Sequence, residues 1–481
     1  MPRFKEPDVI VKYISTRGGG KPVSFNDALI EGLSRDGGLY VPEAWPVLSP
    51  SEIAGFRGKS YAEVAMRVVA PFVGDDIPAR DLERMIAEAY ATFDHPDVTP
   101  LRKLSSGEYI LELFHGPTLA FKDVAMQLIA RLMDYVLAAR GERATIVGAT
   151  SGDTGGAATE AFRGRERIDL VFLFPRGRVS PVQERMMTAI TEKNVNVAAV
   201  EGTFDDCQAI VKALFNDHAF RERVKLSGVN SINFARIVAQ IVYYFTAAVA
   251  LGAPEKRVIF AVPTGNFGDI FAGYVASRMG LPIAKLAIAT NVNDILARTL
   301  ESGVYEVRGV TPSSSPAMDI QVSSNFERLL FDASNRDASV VAGAMRDLAA
   351  KGSFVLQADA LAKIRALFVA ERAGETETSA TIADVHKASS YLLDPHTAVG
   401  VSVARKLKLA ESGTPLVVLG TAHPAKFPES VEAASGVKPA LPARFADLMQ
   451  RPARSTDLPN DAGAVADFVI SHARVAKGVP A

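Results

Sequence analysis

Apolar and polar positions change their rhythm near residue 95. Before it, amphipathic stretches with apolar residues at helical spacing reach to roughly Phe93. They follow VPEAWPVLSP (41–50), which is too proline-rich for regular structure, and a compact region holding GGGK and DGGLYVP. Beyond residue 95 come short, continuous apolar runs: ATIVGA (144–149), DLVFLFP (169–175), VNVAAVEG (195–202), VIFAVPTG (258–265) and LAIAT (286–290). Such runs predict buried strands. Helical patterns lie between them, as at 234–251 and 267–279. Strand–helix alternation predicts an α/β fold, a mainly parallel sheet with helices on both faces. TPSSSP (311–316) and ERAGETETS (371–379) are expected to be loops. A last buried strand, PLVVLGTA (415–422), precedes a Pro/Ala-rich tail from about Pro439. The expected division is an N-terminal unit, 1–95, a core, 96–438, and a tail, 439–481.

Composition narrows what such a fold does. The chain has 481 residues, too many for one core, so two or three packed units are expected. Hydrophobic residues make up 48% and charged residues 22%, and the net charge of -1 offers nucleic acid or an anionic membrane no bulk attraction. No run reaches the roughly 18 apolar residues of a spanning helix. MPRFKEPDVIVKYIS lacks the pattern of a secretory signal, so a cytoplasmic protein is expected. Cys207 stands alone and the seven histidines show no ligand spacing, so no metal is expected.

The chemistry is expected where open parallel sheets bind ligands, beyond the carboxyl ends of strands. Three strand-to-helix turns there are rich in glycine and small hydroxyl residues: GATSGDTGGAA (148–158), PTGNFGD (263–269) and GTAHPAKF (420–427). Glycine lets backbone N–H groups approach an anion, and the following helix adds its positive end. The first turn lacks the lysine of GxxxxGK[ST], and no turn carries GxGxxG, so ATP, GTP and dinucleotides are disfavoured. A fourth segment, HGPTLAFKD (115–123), follows the apolar YILELF. Its Lys122 comes after Ala120 and Phe121, where desolvation lowers a lysine's pKa and suits it to form a Schiff base. An imine-forming lysine together with a phosphate-binding turn points to pyridoxal 5′-phosphate (PLP), which carries an aldehyde and a phosphate.

The chain resembles the threonine synthases of the fold-type-II PLP class, in their longer branch. The resemblance runs through YISTRG, DGGLYVP, HGPTLAFKD, ATSGDTGG, NSINFARIVAQIVYYF, PTGNFGD, ATNVND, SPAMDI, SSNFERLL and TAHPAKF, in order along almost the whole chain. It implies two parallel-sheet α/β domains with the cofactor in the cleft between them, plus an N-terminal unit. It also implies conversion of O-phospho-L-homoserine and water to L-threonine and phosphate, by a monomer or homodimer.

By resemblance Lys122 is the Schiff-base lysine, Gly265, Asn266, Phe267 and Gly268 grip the cofactor phosphate, and Thr421 meets the pyridine nitrogen. Ser151, Gly152, Asp153 and Thr154 match the turn that receives the substrate carboxylate. Short-branch relatives carry Asn where this chain has Asp153, and an aspartate there would repel a carboxylate. Asp269 is read as a helix cap or a ligand contact, and Asn230, Ser231 and Asn233 as caps or site residues. His115 is read either as a pocket residue or as a packed one. Arg17, Arg176 and Arg178 are candidates for the substrate phosphate. Two other readings stay open: a phospho-lyase that releases a 2-oxo acid, ammonia and phosphate, and a non-catalytic binding protein on the same scaffold.

Overall fold

The structure, a computed structural model, describes residues 11–478. Most of the segment read for a secretory signal lies outside the described residues. The N-terminal unit begins with a two-stranded antiparallel ribbon, Tyr13–Ser15 with Tyr40–Pro42. Two Ser-x-x-Glu sequences then start helices in the same way. Ser49 with Glu52, and Ser60 with Glu63, form reciprocal capping boxes for the helices Pro50–Ala54 and Tyr61–Val73. Helix Tyr61–Val73 packs on the long helix Phe234–Ala250, and helix Ala79–Tyr90 on helix Lys122–Arg140. Tyr13, Phe25, Phe72 and Phe234 meet in one aromatic cluster, so the unit shares its core with the rest of the chain.

The α/β expectation holds, and the alternation builds two sheets. The larger runs in the order Phe368–Arg372, Ile283–Thr290, Val258–Pro263, Leu416–Gly420, Glu108–Glu112, Leu101–Ser105. Only the last pair is antiparallel. The smaller runs Thr456–Leu458, Val195–Val200, Ile168–Pro175, Ala144–Ala149, Leu226–Ser227, parallel throughout. VIFAVP, IDLVFLFP and VNVAAV are buried at every position, as strands covered by helices on both faces must be. Parallel strands aim all their carboxyl ends at one edge of a sheet, and these edges carry the glycine-rich turns.

Two segments depart from the sequence reading. ERAGETETS is not a loop: its first residues end the edge strand Phe368–Arg372, and the rest start helix Glu375–Ser389. Its buried stripe, Thr378, Thr381, Ile382 and Val385, opens with hydroxyl residues, which hide the helical period. The Pro/Ala-rich segment beyond Pro439 is not a loose tail. It adds strand Thr456–Leu458 to the small sheet and lays helix Ala462–His472 on it. Val465, Val469 and Ala473 are buried there with Val171, Leu173, Ala198 and Val200. A three-residue strand is too short to show a period, and alanine gives the helix stripe little contrast.

Val469→Ala should therefore lower unfolding free energy by about 1.5–3 kcal/mol, the range for burying such a side chain. Denaturant melts of wild type and variant measure this. A change within about 0.5 kcal/mol, ordinary for a surface position, would return the segment to the status of a tail.

Candidate active site

An isolated antiparallel bridge between Ala120 and Ala422 joins the segments that follow two neighbouring strands of the large sheet, Glu108–Glu112 and Leu416–Gly420. Phe121 N–H donates to the Thr421 carbonyl at 2.9 Å, and His423 N–H to the Leu119 carbonyl at 3.0 Å. This brings Lys122 alongside Thr421, although they are far apart in sequence. Lys122 is the first residue of helix Lys122–Arg140 and is buried. Behind it Asp123, fully buried, accepts from Thr118 N–H at 2.7 Å and from Thr118 Oγ1 at 2.6 Å, which fixes the preceding turn. Burial pushes the Asp123 carboxyl up to about 6. Burial also presses the Lys122 ammonium toward its neutral form; Lys426 and Arg236 push the same way and Asp153 opposes.

The TGNFG turn joins strand Val258–Pro263 to helix Gly268–Arg278. Its carbonyls face the protein: that of Gly265 accepts from Ser323 Oγ at 2.7 Å, and that of Asn266 from Asn325 N–H and Nδ2 at 3.1 and 2.9 Å. Phe267 takes a left-handed φ of 64° and buries its ring between Phe326 and Phe368. Among the described residues, no N–H of Gly265, Asn266, Phe267 or Gly268 donates to a protein acceptor. Four free donors at a helix N-terminus suit an anion. The two glycines are needed for different reasons. A Cβ on Gly265 would lie 2.7 Å from the Ala317 carbonyl oxygen, whereas one on Gly268 would meet no protein atom nearer than 3.5 Å. Protein packing demands glycine at 265. At 268 a Cβ would only touch Asn325, Ile237 and Ser231 at ordinary van der Waals distance.

The small sheet contributes the SGDTG turn, ahead of helix Asp153–Phe162. Gly152 holds a φ of 133°, which disfavours any side chain. Thr150 Oγ1 accepts from the N–H groups of Gly152 and Gly155, both at 2.9 Å, and so closes the turn from inside. Ser151 and Thr154 are half-buried, and among the described residues their hydroxyls have no protein partner. The Thr421 hydroxyl has none either. Asp153 is where the structure changes the picture. Its Oδ1 lies 2.6 Å from Lys426 Nζ and accepts from Gln183 Nε2 at 2.8 Å, while Oδ2 is 3.5 Å from Lys122 Nζ. Burial opposes its charge, but Lys426 and Lys122 outweigh burial and hold the carboxyl well below the usual carboxylate range. Its charge is thus neutralised inside the site, which answers the expected repulsion.

Ser231 lies against Gly268, with its Cβ 3.6 Å from where a side chain there would start, and the other candidates from the sequence have these partners. Arg17 is paired with Glu327 at 2.8 Å, and Arg176 with Glu201 and Asp457 on the surface, where Arg178 is also exposed. His115 lies between Asp94 and Glu112. Asn233 caps helix Phe234–Ala250 by accepting from Ala235 N–H, and Asn230 is exposed. Asp269 does not cap its helix; it accepts from Tyr243 and Tyr244 hydroxyls at 2.5 and 3.1 Å. The functional side chains that sequence reasoning missed are Thr150, Gln183 and Lys426. For Lys426 a signal existed: a lysine among Pro424, Ala425 and Phe427, directly after a buried strand.

The residues fit PLP. A buried amine, a cradle of free N–H donors and a free hydroxyl at Thr421 answer its aldehyde, phosphate and ring nitrogen. Among the described residues no group of three or more His, Cys, Asp or Glu is placed to hold a metal ion, and no helix is long and apolar enough to cross a membrane.

Comparison with known proteins gives the same picture. Family models match in three consecutive pieces: "Threonine synthase N terminus" at 12–90, "Pyridoxal-phosphate dependent enzyme" at 93–387 and "Threonine synthase, C-terminal" at 397–469. A threonine synthase of Pseudomonas aeruginosa is 52% identical over 96% of this chain and 98% of its own. The crystal structure of PLP-bound threonine synthase from Brucella melitensis superposes with a TM-score of 0.94 at 60% identity, covering 96% of this chain and 100% of that one. Threonine synthase from yeast gives 0.91 at 40% identity over 97% and 99%.

The Asp269 site makes a prediction about pH. Burial raises its carboxyl to about 7, above the roughly 3.9 of an unfolded chain. A carboxyl raised on folding contributes stability that is full below about pH 4 and lost as pH rises through about 7. Asp269→Asn should flatten this decline between pH 4 and 8 in denaturant melts, and an unaltered pH profile would contradict it.

Proposed function

The chain belongs to the threonine synthase family, and on that premise we propose that Lys122, Gly265, Asn266, Phe267, Gly268 and Thr421 hold PLP while Ser151, Gly152, Asp153 and Thr154 form the substrate side. The activity is that of a PLP-dependent threonine synthase: O-phospho-L-homoserine and water become L-threonine and phosphate. The observation that carries the residue assignments is the buried Lys122 amine beside a free Thr421 hydroxyl, with a turn of free N–H donors at the same sheet edge. The same reading makes the protein a fold-type-II, cytoplasmic enzyme that acts on a small molecule as a monomer or homodimer.

Bound PLP supplies an aldehyde that takes up the substrate's amino group and a ring that withdraws electrons from Cα. The protein does the rest. The 265–268 turn holds the phosphate through backbone N–H groups, and Thr421 offers the ring nitrogen a hydroxyl, which bonds without transferring a proton. Ser151 and Thr154 orient the substrate carboxylate, with Asp153 silenced by its lysines. Lys122, pressed toward neutrality by its surroundings, is the base for the Cα proton. Over the whole reaction the Cγ–O bond to phosphate breaks, Cβ loses one proton and Cγ gains one, water's hydroxyl ends on Cβ and its remaining proton leaves with phosphate. Because SGDTG stands on the small domain and Lys122 on the large one, closing the domains excludes bulk water until phosphate has left.

Incubation with O-phospho-L-homoserine should yield threonine and phosphate in equal amounts; 2-oxobutyrate as the main product would favour the phospho-lyase reading. Borohydride reduction and peptide mapping should place the pyridoxyl group on Lys122, and a label on Lys426 would overturn that assignment. Gly268→Ala should weaken PLP binding by roughly tenfold, about 1.4 kcal/mol, with the unliganded protein still folded, because a lone Cβ there makes only ordinary contacts with the protein but intrudes on the anion cradle. Asn266→Ala should lose much less. The opposite ranking in a cofactor titration would remove the backbone cradle.

A further inference from the structure

We propose that Lys426 is a positioning residue for the reaction: through Asp153 it locks the substrate-receiving turn of the small domain against the large domain that carries Lys122. The inference rests on Lys122 being the cofactor lysine.

Lys426 ends the short turn Pro424–Lys426, which follows strand Leu416–Gly420 of the large sheet. Asp153 opens helix Asp153–Phe162 behind the small sheet. Their ion pair, at 2.6 Å, therefore joins a turn of the small sheet to a turn of the large one, and the Lys426 side chain is only 1% exposed. Lys426 Nζ also donates to the Thr118 carbonyl at 2.8 Å, while Ser180 Oγ, from the small domain, donates to the Lys426 carbonyl at 3.0 Å. The residue is tied at both ends. Buried ion pairs hold only with close geometry and further hydrogen bonds, and loss of one partner strands the other's charge. Here Gln183 completes Asp153, and Thr118 completes Lys426.

Lys122 cannot serve as the lasting counter-ion. It is farther from the carboxylate, at 3.5 Å, and its nitrogen is the atom that reacts. Whenever Lys122 is engaged elsewhere or neutral, Lys426 is the ammonium left in contact with Asp153. Without Lys426, a bare carboxylate would face the turn at Ser151 and Thr154 where the substrate's own carboxylate arrives, and like charges so placed repel strongly. Lys426 thus explains how an aspartate can occupy that turn at all.

The test uses PLP-loaded wild type, Lys426→Gln, Lys426→Arg and the double variant Asp153→Asn/Lys426→Gln. Pyridoxyl mapping to Lys122 is done on each, and PLP affinity is measured separately. In Lys426→Gln the KM for O-phospho-L-homoserine and the Kd for L-threonine should both rise, by roughly tenfold or more, with Lys122 still labelled. Lys426→Arg should restore most of the loss. The double variant should bind threonine more tightly than Lys426→Gln, because the stranded carboxylate is gone, and should also melt at a higher temperature. Unchanged KM and Kd in Lys426→Gln would overturn the proposal. So would a double variant no better than the single one, or arginine that fails to rescue. Should Lys426→Gln not fold, a double variant that folds and binds threonine supports the proposal, and one that equally fails overturns it. A wild-type label away from Lys122 is a different failure, and it strikes the cofactor assignment itself.

Discussion

One carboxylate between two ammonium groups organises this molecule. Asp153 follows a strand of the small sheet, Lys122 and Lys426 follow strands of the large one, and all three are buried. A buried charge of either sign is costly alone, so each fixes where the others can be. In the same arrangement the SGDTG turn comes to face Lys122, and the reacting nitrogen is kept out of water.

The site is built chiefly from backbone left unpaired on purpose. Around the TGNFG turn the carbonyls of Gly265 and Asn266 are engaged by Ser323 and Asn325, and among the described residues the N–H groups have no protein acceptor. The Thr421 hydroxyl and those of Ser151 and Thr154 are free in the same sense. Donors left free at a helix N-terminus suit anionic groups, which fits a phosphorylated cofactor and an anionic amino acid. The supporting residues, Thr118 with Asp123 and Thr150 with its two glycines, make no claim on ligands and hold the turns in shape.

Much of this was legible in the chain. Continuous apolar runs marked the buried strands, the turns after them marked the sheet edge where ligands bind, and Lys122 stood out because its neighbours are apolar. Long-range partnership was not legible. Nothing local to SGDTG says that Asp153 meets a lysine more than 270 residues later, only that an aspartate there is out of place. Asp269 looked like a helix cap because it stands at a helix start, as the second residue of Gly268–Arg278, but two tyrosines of another helix claim it. The arginines suggested by chemistry alone proved to be paired or on the surface. Short strands and alanine-rich helices, as beyond Pro439, carry too little contrast to be read without the sheet they join.

A crystal structure of the PLP-loaded protein tests the central claim most directly, because it shows Asp153 once Lys122 has been taken up by the cofactor. The account predicts Asp153 still within hydrogen-bond distance of Lys426 and Gln183, with the phosphate on the N–H groups of residues 265–268. An Asp153 carboxylate swung away from Lys426, or a phosphate held by side chains elsewhere, would contradict it.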